Sequence, residues 1–152
     1  MDVKTLAVDV AAALCRRFEG FYSLPYLCPA GVPTIGYGAT YYPSGRRVTL
    51  KDKAISREAA ERMLLLTVER EYLPKVLMLC PSLVNETPES LGAIIDFTFN
   101  LGAGNLRVST LRRKINAGDW DAVPIELRKW NKAGGRVLRG LTIRREAEVK
   151  HI

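Results

Sequence analysis

Glu19 stands where its ionised form is disfavoured, and that placement points to proton transfer. It falls in "RRFEGFY", residues 16–22. Upstream, Val3, Ala7, Val10, Leu14 and Phe18 recur three or four residues apart, which is one face of a helix. Gly20 is a natural stop, because glycine enters the left-handed region at little steric cost. Glu19 then lies on the last turn, where the helix dipole favours cations over carboxylates. Phe18, Phe21 and Tyr22 flank it and would withdraw it partly from water. Both effects favour the protonated acid, the form a general acid needs in order to protonate a leaving group. The ordinary alternative for a lone glutamate is an exposed acid paired with Arg16 or Arg17.

The rest of the chain must position that acid. At 152 residues it has room for one compact domain with a core, divided into two lobes. Between Gly20 and Leu50, prolines, glycines and tyrosines crowd together around β-prone pieces, "TIGYGATYY" and "RRVTL", separated by the turn signal "YPSGR". This predicts a small hairpin lobe. From Ser56 the pattern turns helical. Ser56 is a plausible N-cap with Glu58 in the first turn, and Pro74 is expected to bend or end that helix. Thr87-Pro88-Glu89 opens a second one, and "SLGAIIDFTFNLG" is apolar on nearly all sides, a helix through the core. "STLRRKINAG" and "DWDAVPIELRKW" read as short helices, "NKAGGR" as a loop and "VLRGLTIRREAEV" as a final amphipathic segment. The fold class is therefore α+β, predominantly helical. A β lobe at about 21–50 faces a helical lobe at about 55–152 plus the N-terminal helix, within a single domain over 1–152, and a cleft lies between the lobes.

Twenty-three Lys and Arg against 16 Asp and Glu give a net charge of +7, which favours anionic partners. Basic residues are scattered among acidic ones, as in "KDKAISREAAER", so a solvated, weakly attractive surface fits better than a nucleic-acid groove. Cys15, Cys28 and Cys80 lack metal-type spacing and the single histidine is His151, so no metal or other cofactor is expected. The odd cysteine count leaves at least one thiol free. No stretch approaches the roughly 20 apolar residues of a membrane span. "TLAVDVAAALC" is short, interrupted by Asp9 and followed by Arg16-Arg17, so it reads as an amphipathic helix and not as an export signal.

The segment "EGFYSLPYLCPAGVPTIGYG" resembles the catalytic segment of the phage-type (T4-like) lysozymes, the endolysins of glycoside hydrolase family 24. Their pattern is a Glu, eight residues, an Asp or sometimes Cys, five residues and a Thr, followed by Ile/Val-Gly-Tyr/Ile-Gly. Glu19, Cys28, Thr34 and "TIGYG" fall on it without a gap. "FNLGAGNLRVSTLRRKIN" and "KWNKAGGRVLRGLTIRREAE" are similar to the family's later helices. The resemblance implies hydrolysis of the β-1,4 bond between N-acetylmuramic acid and N-acetylglucosamine in bacterial peptidoglycan, leading to host cell lysis. Glu19 would be the general acid. Cys28 stands where most members carry Asp, the group that positions water or stabilises the oxocarbenium-like transition state. Thr34 would hold that water or the group at 28. Asn100 would bind the acetamido groups of the sugar, or else satisfy its helix end. A late arginine pairs with the catalytic glutamate in relatives, with Arg136 the first candidate and Arg139 or Arg144 next. Ala39 and Thr67 stand where some relatives have a His and the acid that pairs with it.

Two other readings compete. With no second carboxylate in the motif, Glu19 could act alone as a lytic transglycosylase, leaving a 1,6-anhydro sugar. A basic nucleic-acid-binding protein would fit the charge but not the Glu–Cys–Thr spacing. The expected partner is peptidoglycan, not nucleic acid. The expected state is a monomer without stable membrane insertion, held in the host cytoplasm until a holin releases it to the periplasm and cell wall.

Overall fold

The computed structural model describes residues 2–152. Helix α1 (Val3–Glu19) begins at Asp2, whose carboxylate accepts from the Thr5 N–H at 2.8 Å, and stops at Gly20 with φ at +73°. Glu19 is its last residue, as the periodicity requires.

The chain then forms an antiparallel pair, β1 (Tyr22–Leu27) and β2 (Pro33–Gly36), with Tyr26 opposite Thr34 and Leu27 opposite Pro33. The register slips between Tyr22 and Tyr26, and Pro25 falls in that slip, where a missing N–H breaks no ladder bond. The residue pattern placed the strands later. "RRVTL" contributes just the isolated bridge between Tyr41 and Arg47, and Thr40–Asp52 is a loop knitted by side chains. Asp52 accepts from Tyr42 Oη at 2.7 Å, Thr49 Oγ1 at 2.7 Å and the Thr49 N–H at 2.9 Å. Two backbone bonds also cross the loop, from the Tyr42 N–H to the Arg46 carbonyl and from the Val48 N–H to the Thr40 carbonyl, both at 2.9 Å, and the turn at Pro43, Ser44 and Gly45 keeps them from growing into a strand pair.

Helix α2 (Arg57–Thr67) is capped by Ser56, whose hydroxyl accepts from the Ala59 N–H at 3.1 Å. Pro74 does not end the helical path. A π-helical turn, Val68–Tyr72, leads straight into α3 (Leu73–Leu79), with the Leu73 N–H bonding the Val68 carbonyl. The wider turn carries the chain past a residue with no N–H to donate, whose ring would crowd the carbonyl four residues back. A 3₁₀ turn (Pro81–Asn85) precedes α4 (Pro88–Leu101), capped by Thr87.

Helix α4 runs through the core with Ser90–Thr98 all buried. It packs directly on α1, and Gly92 makes this possible: a Cβ there would lie 2.5 Å from Val10 Cγ1. Around it stand α5 (Ala103–Val108), α6 (Thr110–Asn116, capped by Ser109) and α7 (Val123–Arg128). "NKAGGR" is not a plain loop. Gly134 and Gly135, both at positive φ, turn it into a miniature hairpin of β3 (Lys132–Ala133) and β4 (Arg136–Val137). Helix α8 (Arg139–Val149) closes the chain with Arg144, Arg145, Ala147 and Glu148 facing inward. Trp120 and Trp130 pack partly buried against the core, the latter edge-on to Phe97 at 5.6 Å. The expected α+β, predominantly helical class holds: a small hairpin region stands beside a larger helical body.

Candidate active site

Glu19, at the C-terminal end of α1, meets α8 across the fold. Arg144 Nη1 donates to Glu19 Oε2 at 2.6 Å, and the Glu19 side chain remains 27% exposed while that of Arg144 is 5% exposed. The other edge of the guanidinium grips Asp96 on α4, with Nε to Oδ2 at 2.9 Å and Nη2 to Oδ1 at 2.8 Å. One planar fork thus bridges two carboxylates. Burial opposes a charge on Arg144, but the bonds and charge of Asp96, then of Glu19, outweigh it and hold the guanidinium firmly cationic.

A cleft of about 390 Å³ opens beside this pair, lined by Phe18, Glu19, Asn100, Leu138, Leu141 and Arg144. On the opposite side Gly38 closes on the acid. Its φ is +88°, and a Cβ there would stand 3.4 Å from Glu19 Oε1 and 3.8 Å from the Phe99 ring. Glycine at this place in "TIGYG" therefore serves both the left-handed backbone and the close approach to the carboxylate.

Cys28 and Thr34 come together at the turn between β1 and β2. The Cys28 N–H donates to the Val32 carbonyl at 3.1 Å, and the Gly31 N–H to the Cys28 carbonyl at 2.8 Å. Thr34 is buried and its hydroxyl donates to the Val32 carbonyl at 2.8 Å. The Val32 N–H is the main group drawing the Cys28 thiol below its ordinary pKa, with smaller help from the Ala30 N–H and the Thr34 hydroxyl. All three cysteines are free, but Cys15 and Cys80 are buried, and burial pushes the Cys80 thiol up to about 11. The Tyr26 phenol is raised by burial and then by Tyr22, Glu19 and Cys28, so it lies within electrostatic reach of both candidate groups.

The arginine beside Glu19 is Arg144, not the first candidate Arg136. Arg136 lies exposed on β4, and Arg139 is exposed at the first turn of α8. The inward face of α8 starts a turn later, which decides the matter. Asn100 is brought to the cleft, and its Oδ1 accepts from Arg145 Nη2 at 2.8 Å. Ala39 and Thr67 do face one small hollow, with Tyr37, Leu64 and Phe99. Neither carries charge, so no ion is left unpaired there.

Three buried residues are not singled out by the sequence pattern: Asp96, Arg145 and Glu148. Arg145 clamps Glu148 with Nε to Oε1 at 2.7 Å and Nη2 to Oε2 at 2.9 Å, and also reaches the Trp130 carbonyl at 3.2 Å. The one hint was a single acid inside the apolar run "GAIIDFTF". Burial would raise Asp96, but the Arg144 bonds, a bond from Glu148 and the Arg144 charge outweigh it and hold it below the carboxylate range. Glu148 goes the other way. Burial first, then its bond to ionised Asp96, pushes it up to about 9.

The two shifts predict how stability follows pH. The folded protein keeps a proton on Glu148 that the unfolded chain releases near 4.5. That contribution is complete below about pH 4.5 and is lost as pH rises towards 9. Asp96 acts oppositely, its contribution present above 3.8 and lost below it. The unfolding free energy from urea titrations should fall as pH rises between 5 and 8, and Glu148→Gln should flatten that slope. An unchanged slope in Glu148→Gln would place the titrating group elsewhere.

Among the described residues, no group of three or more His, Cys, Asp or Glu side chains is placed to hold a metal ion. None of their helices is long and apolar enough to cross a membrane.

Residues 16–148 match the phage lysozyme family. The chain is 37% identical over 134 residues to a SAR-endolysin of bacteriophage PS119, covering 86% of this chain and 73% of that protein. It is 36% identical over 141 residues to an endolysin of Acyrthosiphon pisum secondary endosymbiont phage 1, covering 89% of each. Among solved structures, the endolysin from Escherichia coli O157:H7 phage FAHEc1 superposes with a TM-score of 0.79 at 29% identity, over 93% of this chain and 89% of that one. A P22 lysozyme mutant gives 0.80 at 25% identity, over 93% of both. With fold, matched segment and relatives in agreement, the chain belongs to the phage lysozyme family and is a lysozyme-type hydrolase.

Proposed function

We propose that this peptidoglycan-degrading endolysin is a muramidase of the T4-like, glycoside hydrolase family 24 type. Its reaction is hydrolysis of the β-1,4 bond between N-acetylmuramic acid and N-acetylglucosamine. The observation that carries the reading is Glu19 at a cleft wall, one oxygen held by Arg144 at 2.6 Å and the other facing Gly38. Glu19 donates its proton to the leaving N-acetylglucosamine O4 as the bond to muramic acid C1 breaks. Cys28, whose thiol is drawn below its ordinary pKa, takes as thiolate the proton of the water that attacks C1, and Thr34 fixes the turn that carries it. Asn100, its oxygen fixed inward by Arg145, offers its NH₂ to the substrate's acetamido carbonyl. The chain works as one catalytic domain and as a monomer. It is released from the host cytoplasm to the wall by a holin, and its action lyses the host.

Digestion of purified peptidoglycan in heavy-oxygen water, read by mass spectrometry, tests the reaction. Hydrolysis gives fragments that have gained one labelled water and carry a reducing muramic acid end. The absence of a carboxylate at position 28 favours one alternative, the transglycosylase, which gives unlabelled 1,6-anhydro ends.

A net charge of +7 predicts a further behaviour. Binding to purified anionic walls should weaken steadily as salt rises, because screening shortens the reach of the attraction. Sedimentation with walls across a salt series measures it. Affinity independent of salt would mean that sugar contacts in the cleft dominate.

A further inference from the structure

A general acid needs its proton, yet Glu19 shares a 2.6 Å hydrogen bond with an arginine. An unbalanced cation at that distance would hold Glu19 ionised and empty. The structure supplies the balance one layer down. Asp96 is 0% exposed and takes two of the three Arg144 contacts, the Nε and Nη2 edge, leaving Nη1 for Glu19. The groups that face Asp96 come from α1 and α8. From α1 the Cys15 thiol donates to Oδ1 at 3.3 Å; from α8 come Arg144 and Glu148, with Arg145 behind Glu148. Asp96 answers the charge of Arg144, and Glu148 sits on Arg145 with both oxygens, so each arginine has a buried carboxyl partner before Glu19 is counted. Removing the Asp96 carboxylate leaves one positive charge uncompensated, directly beside Glu19.

We propose that Asp96 is a positioning residue for this enzyme: it fixes the Arg144 guanidinium in plane and balances it, so that Arg144 orients Glu19 without stripping it of its proton. Being wholly buried, Asp96 touches no substrate and acts through Arg144 alone. The inference rests on the assignment of Glu19 as the acid.

The test is Asp96→Asn, which preserves shape and removes the charge. In a wall-hydrolysis assay, kcat should drop at least about tenfold with KM held within about twofold. The alkaline limb of the kcat profile, where the acid loses its proton, should move to lower pH. Ile115→Ala, in the core and outside the cluster, serves as a destabilised control that lowers Tm without moving that limb. If Asp96→Asn loses Tm but keeps the wild-type kcat and pH profile, Asp96 is a core residue and the positioning role is overturned. If Asp96→Asn does not fold, wild-type protein decides. Carboxyl ¹³C resonances at neutral pH should show Asp96 ionised, and a protonated Asp96 would overturn the inference. Glu19→Gln in the same assay separates the two assignments. Full activity there removes the acid itself, whereas an inactive Glu19→Gln beside a fully active Asp96→Asn removes the role of Asp96 alone.

Discussion

Glu19→Gln is expected to fold with a Tm within a few degrees of wild type and to lose wall hydrolysis by on the order of 10³-fold. The amide has the shape of the acid, and its oxygen still accepts from Arg144 Nη1. Because the site is 27% exposed, water accommodates the polar change. What the amide lacks is a proton to give to the leaving sugar oxygen. Turbidity loss of purified walls gives the activity, and thermal melting by circular dichroism gives the fold. Loss of folding together with activity would make Glu19 a structural residue. Retained activity would remove it from the mechanism.

Substitutions at Cys28 should divide by chemistry and not by size. Cys28→Ala is expected to lower kcat by about 10²-fold, whereas Cys28→Asp should stay within about tenfold of wild type. The thiol lies in a turn whose Val32 N–H stabilises the thiolate, and a carboxylate in that turn would find the same donor. Iodoacetamide should inactivate the wild type faster as pH rises, since the thiolate is the nucleophile, and should spare Cys28→Asp. Cys15 and Cys80 do not confuse that experiment. Both are buried, and burial raises both thiols, so they react slowly in the folded protein. If Cys28→Ala cleaves walls as fast as wild type, position 28 has no chemical role, and the single-acid transglycosylase becomes the better account.

Short-range chemistry was legible from the residues alone. The end of α1 at Gly20, and with it the place of Glu19, follows from an apolar period and a glycine. The Ser56 and Thr87 caps follow from side chains that reach an N–H three residues on. The Glu–Cys–Thr spacing spans just 16 positions, so a single hairpin turn keeps it together. Pro74 marks where such local rules gave way. A π turn, supported by packing against α1 and α4, let the helix continue where propensity alone predicted a break.

The partner of Glu19 lay beyond such rules. Glu19 and Arg144 are 125 residues apart, and Arg136, Arg139, Arg144 and Arg145 are alike in the sequence. Which one meets the acid depends on how α8 is rotated, and successive helical residues differ by about 100° in direction. That rotation sends Arg144 to Glu19 and Asp96, and its neighbour Arg145 to Glu148 and Asn100. The position of Asp96 was equally hidden, because an apolar helix pattern records where water is excluded and not which buried charge answers another. The sequence by itself determined the place of Glu19 at the end of α1, the span that carries Cys28 and Thr34, and the class of the fold. The tertiary structure alone decided which charges balance it, because pairing energies between distant residues exist only once packing has brought them to hydrogen-bond distance and removed the water between them.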